Sequence, residues 1–285
     1  MLKIGIESVG YFTIFDYEEG LKKMKSHGYD CVDYQNIASP NSELFTFSDS
    51  EFERYHRDFG ACAKENGIEI YQMHGLWPRL ADGDLSKTEQ DIELYIKELQ
   101  AAHYMDCKRI VLHPSMPYGW AEEPCKEKAF EETVKTIERL LPYAQKYGII
   151  LCLENMPFVK THSFSNIEEI KKLVRAFDHA NVKACLDTGH LNFTQENIYE
   201  SILTLGADLE TLHVHDDIHR QDRHLIPFQG EIDWNGFVKG LKEIGFQGCI
   251  SLETIISPKM PEPMREQMQK GLAGIARWFA KQIDE

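Results

Sequence analysis

The chain has 285 residues, 42% of them apolar, with 46 acidic against 31 basic side chains and a formal net charge of −15. So acidic a chain is short of the clustered Lys and Arg that build phosphate affinity, which argues against nonspecific polyanion binding as its main task; only a local basic groove would restore it. No run approaches the ~18 consecutive apolar residues of a membrane span, and MLKIGIESVG turns polar too soon for a signal peptide. The seven cysteines, at 31, 62, 107, 125, 152, 185 and 249, are odd in number and scattered, as suits a reducing compartment. A soluble, cytoplasmic protein with no membrane partner is expected.

Eight strand-like runs are expected near 3–8, 29–35, 68–74, 108–113, 149–155, 182–187, 210–215 and 248–254. They are short continuous apolar runs, the pattern of parallel strands buried on both faces. Eight helix-like segments alternate with them. Ile92, Tyr95, Ile96 and Leu99 mark the third, and Phe130, Val134, Ile137, Leu141 and Ala144 the fourth, where Pro142 should kink the helix or mark its last turn. Gly28, Gly67, Gly148 and Gly245 stand where helices should stop in a left-handed turn. Met268, Leu272, Ile275, Ala276 and Phe279 share one face of the closing helix. With no linker-like break, the pattern predicts an α/β fold, a single (β/α)8 barrel domain over residues 1–285. The longest irregular pieces, 36–50, 75–87, 114–126 and 216–234, all follow strands and so belong on the face where such barrels carry their sites.

The chemistry is concentrated at strand ends. Glu154 in LCLEN, Asp187 in KACLDTGH, His213 in ETLHVHDD and Glu253 in CISLET each close an apolar run. Four oxygen and nitrogen donors from four successive strand ends describe a divalent metal site at a barrel mouth. Alternation then turns Cys152, Cys185, Ser251 and Cys249 into the barrel interior, where the cysteines read as small buried fillers beneath the site. Glu154 and Glu253, on strands five and eight and so expected opposite in the ring, could also take and return a proton on a substrate carbon between them. Any one strand-end Glu reads equally well as a surface salt bridge; the convergence of four is what favours a site.

More candidates surround these four: His74, His113 and His190 as ligands or hydrogen-bonding pocket residues, and the Asp222, Arg223, His224 triplet. His215, one residue from His213 on the same face, is expected behind a ligand or against substrate. Trp77, Trp120 and Phe228 are candidates for an apolar wall against a sugar face, with loop packing as the plain alternative.

At these residues the chain resembles the xylose isomerase-like superfamily of barrels, in which sugar and sugar-phosphate isomerases and epimerases stand beside endonuclease IV. The resemblance covers nearly the whole chain and is most specific at LENMP (153–157), CLDTGHLN (185–192), HVHDD (213–217) and the run from Asp222 through GEIDW (230–234). In the epimerase branch it implies Mn, Mg, Co or Zn held by Glu154, Asp187, His213 and Glu253, with the two glutamates as acid and base. In the endonuclease branch it implies that His74, His113, His190, Asp222 and His224 complete a three-zinc cluster. This chain reads HGLWPRLADG after strand three, not the endonuclease motif of the type HAPYLINLA, and residues 35–51 hold no Lys or Arg. It also has Pro227, Phe228, Gln229 and Gly230 where epimerases usually have Pro-Gly-x-Gly. The expectation is a metal-dependent isomerase or epimerase of a sugar or sugar derivative, working by proton abstraction beside a carbonyl through an enediolate. An abasic-site endonuclease, and a lyase or dehydratase of the same superfamily, are the alternatives. A small-molecule substrate and no nucleic acid partner are expected, and pairing into a homo-oligomer through outer helices is left open.

Overall fold

In the computed structural model, which describes residues 1–77, 86–114, 126–157, 164–218, 221–254 and 256–285, eight short parallel strands form a ring. They are β1 (Lys3–Glu7), β2 (Cys31–Tyr34), β3 (Glu69–His74), β4 (Arg109–Leu112), β5 (Ile150–Glu154), β6 (Val182–Asp187), β7 (Leu209–His213) and β8 (Cys249–Leu252). The strand order is β7-β6-β5-β4-β3-β2-β1-β8. Val214, just past β7, closes the ring on Leu252: its N–H donates to the Ser251 carbonyl at 2.8 Å, and the Glu253 N–H donates to its carbonyl at 3.1 Å. The fold is the expected (β/α)8 barrel, with strand ends within two residues of the expected runs. One expectation needs correcting: β5 and β8 stand three places apart in this ring, so Glu154 and Glu253 are not diametrically opposed.

The described residues contain ten α-helices: α1 (Val9–Phe12), α2 (Tyr17–His27), α3 (Asp49–Glu65), α4 (Ser86–Tyr104), α5 (Lys126–Tyr147), α6 (Ile167–Phe177), α7 (Thr188–Thr194), α8 (Ile198–Leu205), α9 (Trp234–Glu243) and α10 (Glu262–Asp284). The two beyond the expected eight, α1 and α7, are short and follow β1 and β6 directly, on the face that carries the strand-end donors. Side-chain oxygens start most of the others. Ser48 and Glu51 form a reciprocal capping box on α3, and Asp16, Asn166, Asn197 and Asp233 cap α2, α6, α8 and α9. The expected glycine stops hold, with Gly28 at φ 102° and Gly148 at φ 67° in the left-handed region.

Pro142 does not end its helix, since α5 runs on to Tyr147. The buried stripe of α5 is also turned by about one residue from the expected one: Ala129, Thr133, Thr136, Ile137, Leu140 and Ala144 face inward. Threonine is tolerated there because each hydroxyl donates to the carbonyl one turn back, Thr133 to Ala129 at 2.8 Å and Thr136 to Glu132 at 2.9 Å. The main apolar layer between strands and helices is continuous, and it includes Ile4, Leu21, Phe59, Leu140, Ile170, Phe237 and Phe279. Two small sets lie apart from it, Cys31–Tyr71–Cys249 and Val111–Cys152–Cys185. Alternation along the strands assigns all but Tyr71 to the barrel interior, beneath the strand-end donors; Tyr71 joins them at the β2–β3 register shift, through its contacts with Cys31 and Cys249. No helix among the described residues is long and apolar enough to cross a membrane.

Candidate active site

Glu154, Asp187 and His213 are the last residues of β5, β6 and β7, and Glu253 follows β8 by one residue. All four are buried, with Glu253 the least so at 7% exposure. One ligand atom from each lies within 4.8 Å of the others. His213 is the hub: its Nδ1 is 2.9 Å from Glu154 Oε1 and 3.3 Å from Glu253 Oε2. Asp187 also starts α7, its Oδ1 accepting the His190 N–H at 2.6 Å. Asn155 fixes Asp187 from the neighbouring strand end, donating from Nδ2 to its carbonyl and accepting its N–H at Oδ1.

The surrounding histidines converge as well. His113 Nε2 lies 2.9 Å from Glu154 Oε2, though without hydrogen-bond alignment. His74 Nε2 is 4.0 Å from the same oxygen, and its ring stacks on His213 at 5.3 Å. His190 Nδ1 is 3.6 Å from both Glu154 Oε1 and Asp187 Oδ1. His215 Nε2 is 3.1 Å from both Asp187 oxygens, and its ring stacks on His224 at 4.2 Å. That ring needs Gly189, because a Cβ there would stand 1.9 Å from His215 Cε1. Asp222 joins His224, at 3.1 Å, to His190, at 3.5 Å.

Two of the expected residues stand apart from the donors. Arg223 is exposed and holds the loop through its backbone N–H on Asp217 Oδ1 at 2.9 Å. Phe228 packs its ring on Trp234, Trp278 and Phe279, so its ring contacts are with α9 and α10 and not with a donor. Trp120 lies outside the described residues. Trp77 does reach the site: 49% exposed, it lies parallel to His74 at 5.8 Å and edge-on to His113 at 4.6 Å.

Burial and charge act against each other throughout the cluster. Burial alone would raise the Glu154 carboxyl, but His213 and His113 outweigh it and hold it well below the usual range. Asp187 is lowered in the same way by His190 and His215, against its burial. Burial opposes charge on His190, yet Asp187 and Asp222 raise it to about 10. His113 is lowered, because burial there exceeds the pull of Glu154.

Residues that sequence reasoning missed complete the floor of the cluster. Glu7 ends β1, and burial, followed by the Glu253 carboxylate, pushes it up to about 8. Asp33 of β2 lies 3.0 Å from His213 Nε2, and Gln72 of β3 donates to Asp33 at 2.9 Å. Gln35 Nε2 donates to Glu253 Oε1 at 3.3 Å. Glu7 carried the same signal as Glu154, an acidic residue closing an apolar run, whereas Asp33 lies one residue inside the end of β2.

The donor set fits a divalent cation. Three carboxylates and an imidazole converge, and Glu154 Oε2 and both ring nitrogens of His113 are buried without a hydrogen-bond partner among the described residues. Such a mixture suits Mn, Mg, Co or Zn.

Residues 21–279 match the xylose isomerase-like TIM barrel family. A D-psicose 3-epimerase of Ruminiclostridium cellulolyticum is 27% identical over 248 residues, 85% of this chain and 79% of that one. A probable endonuclease 4 of Metamycoplasma arthritidis is 27% identical over 237 residues, 79% of this chain and 82% of that one. Among solved structures, the D-psicose 3-epimerase of Clostridium cellulolyticum H10 with D-tagatose superposes with a TM-score of 0.79 at 21% identity, covering 98% of this chain and 99% of that one.

Proposed function

Because the chain belongs to the xylose isomerase-like TIM barrel family, we propose that it is a divalent-metal-dependent epimerase or isomerase of a sugar or sugar derivative. The observation that carries this reading is the convergence of Glu154, Asp187, His213 and Glu253 within 4.8 Å at the mouth of the barrel. The psicose epimerase likeness, over most of both chains, supports it.

Glu154, Asp187, His213 and Glu253 would hold the ion. A divalent ion held there would supply Lewis acidity, making a C–H beside a substrate carbonyl easier to deprotonate. The chain's own carboxylates move that proton. Glu154 is kept ionised by His113 and His213, so it is available as an acceptor despite its burial. Glu253 comes from a different strand end, is the least buried of the four, and accepts from Gln35 at Oε1. One carboxylate takes the proton and the other returns it, and return to the opposite face of the carbon inverts its configuration. His190, His224 and Asp222 line the same mouth and are suited to binding hydroxyls. Loss of a hydroxyl after the same first step would make the enzyme a dehydratase, which product identity distinguishes.

A second reading, an abasic-site endonuclease, is favoured by five further donors at the mouth, His74, His113, His190, Asp222 and His224, and by the exposed Trp77 beside them. Weighing against it, the segment after β2, residues 35–51, has no cation to clamp phosphate. Metal-loaded protein should convert at least one member of a panel of ketoses, aldoses and keto-sugars that includes D-fructose, D-psicose and D-tagatose, and leave an abasic-site duplex uncut at low salt. Metal-dependent incision of the duplex, abolished in Glu154→Gln, with no sugar converted, would install the endonuclease instead.

A further inference from the structure

His213 has two ring nitrogens, and the structure faces both of them with carboxylates. Nδ1 points into the Glu154 and Glu253 pair, at 2.9 and 3.3 Å, and Nε2 points the other way, to Asp33 Oδ2 at 3.0 Å. His213 is fully buried and Asp33 is 1% exposed, so no solvent competes for this contact. Asp33 is itself held. A register shift between Val32 and Asp33 places it opposite Gln72 in the β2–β3 pairing. Gln72, also buried, donates from Nε2 to Asp33 Oδ2 at 2.9 Å and lies 3.3 Å from the Leu212 carbonyl, next to His213 in the chain.

An imidazole that ligates a metal keeps one proton, and the nitrogen without it is the ligand. Ionised carboxylates only accept hydrogen bonds, so Asp33 can engage Nε2 only when that nitrogen carries the proton. We propose that Asp33, anchored by Gln72, is a positioning residue: it holds the His213 proton on Nε2 and so presents the Nδ1 lone pair to the Glu154, Asp187 and Glu253 cluster. The inference rests on the reading of those residues as a divalent-metal site. It assigns β2 and β3, which supply none of the four converging donors, the task of orienting one that β7 supplies.

The test uses Co2+ as probe, with affinity measured by calorimetry on metal-stripped full-length protein. Asp33→Asn should weaken Co2+ binding about ten- to a hundredfold, the usual loss when such a supporting contact is removed. In a His213→Gln background the same change should cost nothing more, because Asp33 acts through His213. A purely structural Asp33 would cost the same in both backgrounds, and wild-type affinity in Asp33→Asn would likewise overturn the proposal. A second measurement needs no variant: long-range 1H–15N spectra of zinc-loaded protein should show the His213 proton on Nε2, and a proton on Nδ1 would refute it. If wild-type protein binds no Co2+, the metal-site reading fails and takes this inference with it. Binding that depends on His213 but not on Asp33 sinks the inference alone.

Discussion

Glu253 differs from its three companions in a way that bears on its task. It is the most accessible of the four and receives only Gln35 at Oε1, whereas Glu154 is enclosed by histidines. Glu253→Gln keeps the shape and the Gln35 neighbour but cannot accept a proton. It should leave the far-UV spectrum and unfolding midpoint near wild type while lowering kcat by about 10²-fold or more. A kcat within a few-fold of wild type would remove Glu253 from proton transfer. The four converging donors were legible in the sequence because each closes an apolar run, which fixes both depth and direction. Asp33, one residue short of the end of β2, was not: its meaning lies in His213, 180 residues away, and no local pattern pairs them. His215 was expected behind a ligand, but its partner Asp187 and its required neighbour Gly189 become evident only once β6 and β7 lie side by side. Phe228 reads as either a substrate wall or loop packing, and its ring meets Trp278 and Phe279, as packing requires.

At the scale of elements, periodicity found the helices better than their faces. The α5 stripe was read from its large apolar residues, yet the buried side includes two threonines whose hydroxyls are satisfied within the helix. The small helix α7 was not foreseen, because its start is supplied by Asp187, which reads first as a strand-end donor. On α3, burial places an ionisable group where it weighs on stability. His56 lies among Tyr34, Phe52 and Tyr55, with Nδ1 2.7 Å from the Phe52 carbonyl and Nε2 without a partner among the described residues. Burial lowers it to about 4, although the Phe52 contact opposes the shift. In the unfolded chain an imidazole titrates near ~6.5. Between those values the unfolded state binds more protons, so stability falls as pH drops from about 6.5 to about 4, by up to ~3 kcal/mol from this residue. Urea unfolding at pH 7.5 and 4.5 should show a smaller acid loss for His56→Gln than for wild type. Equal losses in the two proteins would mean that His56 titrates alike in both states.

For the molecule as a whole, the ring order explains what the site can do. Three of the four core donors come from consecutive strands, β5 to β7, and the fourth from β8, which β7 joins through the Val214 bridge. One half of the barrel therefore supplies the proposed cation site, and the other half, with Glu7, Asp33 and Gln72, supplies groups that face it from below. The barrel was legible from eight apolar runs and their glycine stops, since each follows from local spacing. The sector arrangement of the donors was not legible: strand numbers five and eight suggest opposite positions, but three places in an eight-strand ring bring Glu154 and Glu253 to the same imidazole. On the proposed reading, the net charge of −15 and the cation-free segment after β2 suit a polyol substrate better than a phosphate backbone. Exchange of a carbon-bound proton of a sugar with these carboxylates is, on that reading, the chemistry of the site. It is tested most directly by incubating manganese- or cobalt-loaded protein with the sugar panel in D2O and measuring mass and proton spectra of every recovered sugar. At least one sugar should gain a single deuterium at the carbon beside its carbonyl, in product and in returned substrate alike. Conversion of a sugar with no deuterium in either would contradict the account, leaving a direct hydride shift in which the two glutamates serve only as ligands.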